Sequence, residues 1–258
     1  MNLRLLILAT LFSLFACSKT ETTSSQQTET PQAEVQAPIK LTVKDLKEAD
    51  IPSSIELKGK FMEAKSWTDK NGENLLIVTR KGPVKQAQKE DEYSEELYSV
   101  ELFGDQYIKQ GGNYILLWDI YDFVRDCMSD MWLGLLPNST QVTDWDEDGI
   151  TETSLIYKLS CRSDVSPSDM KILIHENEVK MGLRGTMILE MDKPNMGADF
   201  EPDASKIDLS DKPEIEQYMG LMGRYKNEDD FKDQPKVFLE NARKLWMKFV
   251  DKDEFLQL

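Results

Sequence analysis

The chain has 258 residues, of which 40% are hydrophobic, so it is long enough to bury a substantial core. Asp and Glu number 47 against 31 Lys and Arg, which gives a formal net charge of −16. This charge excludes nucleic-acid binding, because the phosphate backbone would be repelled. The excess of carboxylates instead suits a domain held off anionic lipid, or one that binds divalent cations.

The first residues have the pattern of a secretory signal. Arg4 precedes an apolar run over residues 5–15, which is shorter than the about 20 residues that a membrane-spanning helix needs. The run ends in Leu-Phe-Ala-Cys17, which resembles the lipobox of bacterial lipoproteins. That resemblance implies removal of residues 1–16, lipidation of Cys17 with groups such as palmitate, and, with Ser18 next, anchoring at the outer membrane. An ordinary signal peptide with a chance cysteine is the alternative.

Residues 17–39 are predicted to be a disordered tether behind the lipidated cysteine, since they are rich in Ser, Thr, Gln, Glu and Pro. A β domain is predicted over residues 40–195. Short apolar runs alternate there with turn signals such as Asn71-Gly72 and Gly111-Gly112, which favour hairpins. The fold class expected is therefore mainly β, an antiparallel sheet or sandwich of hairpins with a C-terminal helical segment.

Residues 196–258 are predicted to form an acidic loop followed by a helix. Asp233 before Pro235 marks the start of the helix. Five apolar residues recur at helical spacing and predict a face that packs on the β domain. They are Phe238, Ala242, Leu245, Trp246 and Phe249.

An Asp-rich loop is the one segment whose spacing indicates chemistry. Carboxylates at alternate positions, followed by Gly149, are typical of loops that wrap around a hard cation, and calcium is the ion expected. The predicted ligands are Asp144, Asp146, Asp148, Ile150 through its carbonyl, and Glu152. The loop is not an EF-hand, because Leu155 stands at position 12. It resembles the calcium loops of integrin-type propeller blades, although Glu152 replaces their usual Asp. A solvated acidic turn is the alternative.

Cys127 and Cys161 remain after Cys17 is assigned to lipid. In an oxidising compartment they are expected to form a disulfide that closes a loop around the acidic motif, and two buried free thiols are the alternative. His175 is the sole histidine, which excludes a multi-histidine zinc centre. We interpret His175 as a strand residue, and no catalytic residue is predicted.

The Asp-rich loop and the stretch from Leu159 to Pro167 resemble a family of Bacteroidota lipoproteins labelled surface-polysaccharide biosynthesis proteins. The resemblance covers roughly residues 55–190 and implies a role in making or displaying surface glycan. Two functions are therefore expected. The first is a non-enzymatic, calcium-stabilised domain that binds a glycan or an envelope protein. The second is an envelope enzyme that acts on polysaccharide through paired carboxylates.

Overall fold

The structure is a computed structural model that describes residues 41–86, 96–197 and 199–254. The predicted signal peptide, Cys17 and the tether lie outside these described residues. Among the described residues, no helix is both long enough and apolar enough to cross a lipid bilayer.

Two antiparallel sheets make up the body of the described chain. In spatial order, the first sheet contains β1 (Lys44–Leu46), β2 (Lys60–Asp69), β3 (Gly72–Lys85), β4 (Tyr98–Gln110) and β5 (Asn113–Cys127). The second contains β10 (Val179–Thr186), β9 (Asp169–Glu176) and β8 (Glu152–Arg162), with both β6 (Asp130–Leu135) and β7 (Gln141–Thr143) paired along the other side of β8. The prediction of a mainly antiparallel β fold is confirmed.

The predicted hairpins form at the turn signals. Gly72 ends the turn between β2 and β3 with φ +122°, and Gly111 and Gly112 connect β4 to β5 with φ +57° and +88°. A residue with a side chain rarely adopts these φ values, so glycine sets the position of each turn. The turn between β9 and β10 is built on Asn177, which has φ +50°.

The two sheets pack face to face around a shared apolar core. Leu76 and Leu102 of the first sheet cluster with Leu155 and Tyr157 of β8. Ile156, on the other face of β8, belongs to a second cluster that includes helix residues. The alternating pattern of this segment predicts one buried face, whereas β8 is buried on both, because a sheet covers one side and a helix the other.

The C-terminal helix α2 spans Lys236–Phe249 and follows Pro235. All five apolar residues of the predicted stripe are buried in it. Trp246 lies in the cluster of the second sheet, and its Nε1 donates a hydrogen bond to the carbonyl of Gly223 over 2.8 Å. A shorter helix, α1 (Glu214–Leu221), was not predicted from the sequence, and its residues are largely exposed.

The segment before β2 covers part of the outer face of the first sheet. Ile51, Ile55 and Leu57 pack there against Leu75 and Ile77 of β3. The sequence pattern predicts one strand from residue 55 to 67, but the strand begins only at residue 60. The outer face of β4 and β5 lies beyond this cover and carries exposed aromatic side chains.

Candidate metal site

The Asp-rich loop connects β7 to β8. It starts at Asp144, directly after β7, and ends at Glu152, the first residue of β8. Glu147 and Gly149 have φ values of +60° and +87°, which turn the chain back on itself. The loop therefore brings carboxylates from its beginning and its end to the same place.

The structure gathers these carboxylates into two groups. Asp144, Asp146 and Glu152 each place an oxygen within 4.8 Å of the other two. Asp146 and Asp148 form a second such group with Glu176. Asp146 is shared, so five carboxylates meet around one loop.

Glu176 was not predicted as a site residue. It is the last residue of β9, and the strand register places it directly opposite Glu152 of β8. No spacing in the Asp-rich motif points to it, because it is 24 positions beyond Glu152 in the sequence. Only the register of β8 against β9 could have identified it.

In several of these carboxylates, one oxygen accepts a hydrogen bond from a backbone amide. Asp144 Oδ2 accepts from the amide of Gly149 at 3.1 Å, and Asp148 Oδ1 accepts from the amide of Ile150 at 2.7 Å. Glu152 Oε2 accepts from the amide of Trp145 at 2.9 Å. The predicted role of the Ile150 carbonyl as a ligand stays a prediction.

The other oxygens of the cluster are left without hydrogen-bond donors. Asp144 Oδ1, Glu152 Oε1 and Glu176 Oε1 are inaccessible to solvent and have no hydrogen-bond partner among the described residues. Glu152 is 0% exposed. A buried carboxylate oxygen without a partner is costly, and bound cations would supply the missing partners. The donor set fits a hard metal ion, which prefers oxygen ligands.

The electrostatics of the acidic cluster also favour a bound cation. Burial raises the pKa of Glu152 to about 7, and the charge of Asp146 adds to the rise. Hydrogen bonds from Trp145 and Thr143 lower this pKa, but they do not cancel the effect of burial. Burial also raises the pKa of Glu176, helped by the neighbouring aspartates. A bound cation would offset both the burial and the repulsion between like charges.

The loop is held against the first sheet. The amide of Lys70, in the turn between β2 and β3, donates to the carbonyl of Gly149 over 2.8 Å. Asp69 accepts from the amide and hydroxyl of Thr151 at 3.2 and 2.7 Å, and Trp67 Nε1 donates to the same hydroxyl. The acidic cluster thus lies where a hairpin of one sheet meets the central strand of the other.

The predicted disulfide is present. Cys127, the last residue of β5, is bonded to Cys161 of β8, with the two Cα atoms 5.7 Å apart. The bond connects the first sheet to the second, and the acidic loop lies within the 34-residue separation that it closes.

His175 packs as a residue of β9. Its ring stacks on Trp118 with centroids 4.0 Å apart and planes inclined by 11°. Burial, with a smaller effect of Lys180, lowers the pKa of His175 to about 3, so the imidazole is neutral at pH 7. This contact couples β9 to β5 across the core.

A cavity of about 560 Å³ lies beside α2 and is lined by Asp203 and Glu228. Arg243 donates to both oxygens of Glu228 at 2.7 and 2.6 Å. Burial works to raise the pKa of Glu228, but the hydrogen bonds of Arg243 and Tyr225 outweigh it and hold the pKa at about 2. Lys206 lies 3.2 Å from Asp203 and 3.4 Å from Glu228. These acids form an ion-pair network rather than a pair suited to proton transfer.

The outer face of β4 and β5 carries an aromatic strip, which we define as Phe103, Tyr121 and Phe123. Phe103 and Tyr121 are directly opposite each other, and their ring centroids are 5.2 Å apart. Tyr121 and Phe123 have centroids 5.7 Å apart, and Arg125 stacks on Phe123 at 3.9 Å. The strip is a row of neighbouring aromatic rings with charged side chains beside it.

The acidic cluster is the site whose chemistry is most clearly defined by the geometry, because three of its carboxylates have a buried oxygen without a partner among the described residues. The aromatic strip is a second surface, whose chemistry suits an amphipathic ligand rather than a metal. Comparison of the chain with protein-family models, with curated proteins and with solved structures finds no match.

Proposed function

We propose that the chain is an exported lipoprotein, anchored at the outer membrane through lipid on Cys17, whose β domain is stabilised by calcium and binds an envelope glycan without catalysis. The observation that carries the proposal is the buried Glu152 carboxylate, whose Oε1 has no hydrogen-bond partner among the described residues. A carboxylate buried in this way among aspartates is expected to bind a cation.

Calcium is the ion that this donor set favours. The ligands are oxygens on an irregular loop, and calcium accepts six to eight oxygens in flexible geometry. Magnesium demands near-ideal octahedral geometry and keeps several waters, which suits a buried carboxylate such as Glu152 less well. Zinc and copper favour nitrogen or sulfur, and neither the described histidine nor a cysteine lies in the two carboxylate groups.

The glycan part of the proposal is supported by the aromatic strip. Tyr121 and Phe123 are 44% and 40% exposed on the outer face of β5. Sugar rings are apolar on their C–H faces and polar at their edges, so they match aromatic rings bordered by charged groups. The Tyr121 hydroxyl donates a hydrogen bond to Glu101 and accepts one from Arg125. Polar groups therefore lie beside the aromatic rings.

Calorimetric titration with calcium tests the metal part. The native chain is expected to bind calcium and to show a higher midpoint of thermal unfolding in its presence. Asp146→Asn is expected to lose most of the binding, because Asp146 belongs to both carboxylate groups. Glu147→Gln is the matched control: it removes one charge from the same loop, is exposed, and belongs to neither group. Equal loss in both variants would mean that only overall charge matters.

A glycan array probed in calcium tests the binding part. Tyr121→Ala is expected to reduce binding at least tenfold, because it removes the central ring of the strip. Tyr218→Ala serves as control, since Tyr218 is similarly exposed at 43% but lies on α1. If the native chain binds no glycan while it binds calcium, the glycan part of the proposal fails and an envelope protein becomes the expected partner.

Membrane fractionation tests the anchor. The native chain is expected in the outer-membrane fraction and to take up a labelled fatty acid, whereas Cys17→Ser is expected to do neither. An ordinary signal peptide would instead leave the native chain unlabelled.

A second candidate function, cleavage of polysaccharide, is favoured by one observation. Asp105 of β4 and Asp119 of β5 are directly opposite each other beside the aromatic strip. Burial raises the pKa of Asp105, against an ion pair with Lys58, and Asp119 adds to the rise. Glycosidases use a pair of carboxyl groups, one of which has a raised pKa. Release of reducing ends by the native chain and not by Asp105→Asn would establish this activity.

A further inference from the structure

The acidic cluster contains more charge than one calcium ion balances. Five carboxylates meet there, and among the described residues none of the five is in an ion pair. Lys70 lies beside the loop, but its Nζ donates to the backbone carbonyl of Asp148 at 2.7 Å. With all five carboxylates ionised, one divalent ion would leave a net charge of about −3 in a partly buried cluster, which is unfavourable in a low dielectric.

The carboxylates are also divided in space. Asp144 and Glu152 form one group with Asp146, while Asp148 and Glu176 form another. Each group places three oxygens within 4.8 Å of one another, which is the spacing of ligands around a single ion. Asp146 belongs to both groups, and a carboxylate has two oxygens that can bridge two ions.

Each group also contains a buried oxygen without a partner. In the first group these are Asp144 Oδ1 and Glu152 Oε1, and Glu152 is fully buried. In the second group it is Glu176 Oε1. A cation in the first group alone would leave the Glu176 oxygen without a partner, because Glu176 is not a member of that group.

We propose that the cluster binds two divalent cations bridged by Asp146, the first held by Asp144 and Glu152 and the second by Asp148 and Glu176. This inference rests on the proposed calcium site and adds a second ion to it. The first ion is the more buried of the two. Asp148 is exposed, so the second ion has coordination positions open to water. The second ion ties the end of β9 to the loop.

The test counts the ions bound by the full chain, by calorimetric titration with CaCl₂ and by native mass spectrometry. The native chain is expected to bind two calcium ions, Glu176→Gln one, and Glu152→Gln one. Glu147→Gln is the control and is expected to keep both. Glutamine at 152 still offers an oxygen to the Trp145 amide and the Thr143 hydroxyl, so this variant is expected to fold, which circular dichroism checks.

The possible outcomes are distinct. A native stoichiometry of one, unchanged by Glu176→Gln, would overturn the two-ion inference and leave the proposed calcium site intact. A native stoichiometry of one that is lost in Glu176→Gln would overturn it as well, by making Glu176 a ligand of a single ion. No binding by the native chain would overturn the proposed calcium site itself.

Discussion

Asp253 is a buried carboxylate that holds the end of the described chain against the second sheet. Its side chain is 0% exposed and lies 3.0 Å from Lys158 Nζ and 2.9 Å from Arg162 Nη1, both of β8. The amide and the hydroxyl of Ser168 donate to it at 2.7 and 2.9 Å. Because two cations and two further donors converge on one buried acid, their desolvation is compensated only while Asp253 stays charged.

Asp253→Asn is therefore expected to be strongly destabilising. It removes the carboxylate charge that lies against the buried side chains of Lys158 and Arg162, which costs about 3–5 kcal/mol of unfolding free energy. Urea unfolding measures the loss. Asp251→Asn is the control, because the ion pair of Asp251 with Lys193 spans 3.3 Å and is partly exposed, and such pairs contribute about 0–1 kcal/mol. Similar losses in the two variants would show that burial of Asp253 does not matter.

Glu228 makes stability depend on pH in the acid range. Arg243 and Tyr225, against the opposing effect of burial, hold its pKa at about 2, below the ordinary value of 4.5. A lowered pKa means that the charged form stabilises the fold above pH 4.5 and that this contribution is lost as the pH falls toward 2. The difference in unfolding free energy between the native chain and Glu228→Gln is thus expected to shrink over that interval. A difference that stays constant from pH 6 to pH 3 would contradict this assignment.

The sequence allowed some of these residues to be predicted and not others. Cys127 and Cys161 could be paired because they are the two cysteines that remain after Cys17 is assigned to lipid, in a compartment that we expect to be oxidising. The acidic group of the loop was readable because its members are close in sequence. Asp253 and Glu176 could not be predicted, because each contacts residues that are distant in the sequence. A single sequence carries no signal for such contacts. Glycan binding, the lipid anchor and the family resemblance stay predictions.

The sequence predicted strands and helices well where a turn signal or the periodicity of apolar residues was clear. Gly72 and Gly112 mark hairpin turns because their φ values exclude most other residues, and the 3.6-residue period of α2 marks its buried face. The short strands β6 and β7 and the helix α1 were missed. Each is too short to show a period, and tertiary pairing with β8 defines the two strands.

The disulfide is an element-scale connection, since it joins the end of β5 to β8. Replacing both cysteines by serine, Cys127→Ser with Cys161→Ser, is expected to cost about 2–4 kcal/mol by freeing the unfolded chain. Thermal unfolding with and without reductant measures this. Reductant should lower the midpoint of the native chain and leave the double variant unchanged. If complete reduction did not change the midpoint of thermal unfolding of the native chain, the disulfide would not stabilise the fold.

At the scale of the whole molecule, the acidic loop is one of the points where the two sheets are held together. It belongs to the second sheet through β7 and β8, and it contacts the hairpin of β2 and β3 through Lys70 and Asp69. The tips of two hairpins also meet there, where Asn71 Nδ2 donates to Asn177 Oδ1 over 2.6 Å. We therefore expect ordering of the loop to affect both sheets.

Calcium is consequently expected to slow hydrogen exchange beyond the loop itself. The amide of Lys70 is the sharpest reporter, because it belongs to the first sheet's hairpin and donates to the carbonyl of Gly149. Adding calcium should fix that carbonyl and protect the Lys70 amide, and a chelator should reverse the protection. Asp146→Asn should abolish the effect, while Glu147→Gln should preserve it. Protection confined to residues 144–152 would mean that the ion orders its own loop and leaves the contact between the sheets unchanged.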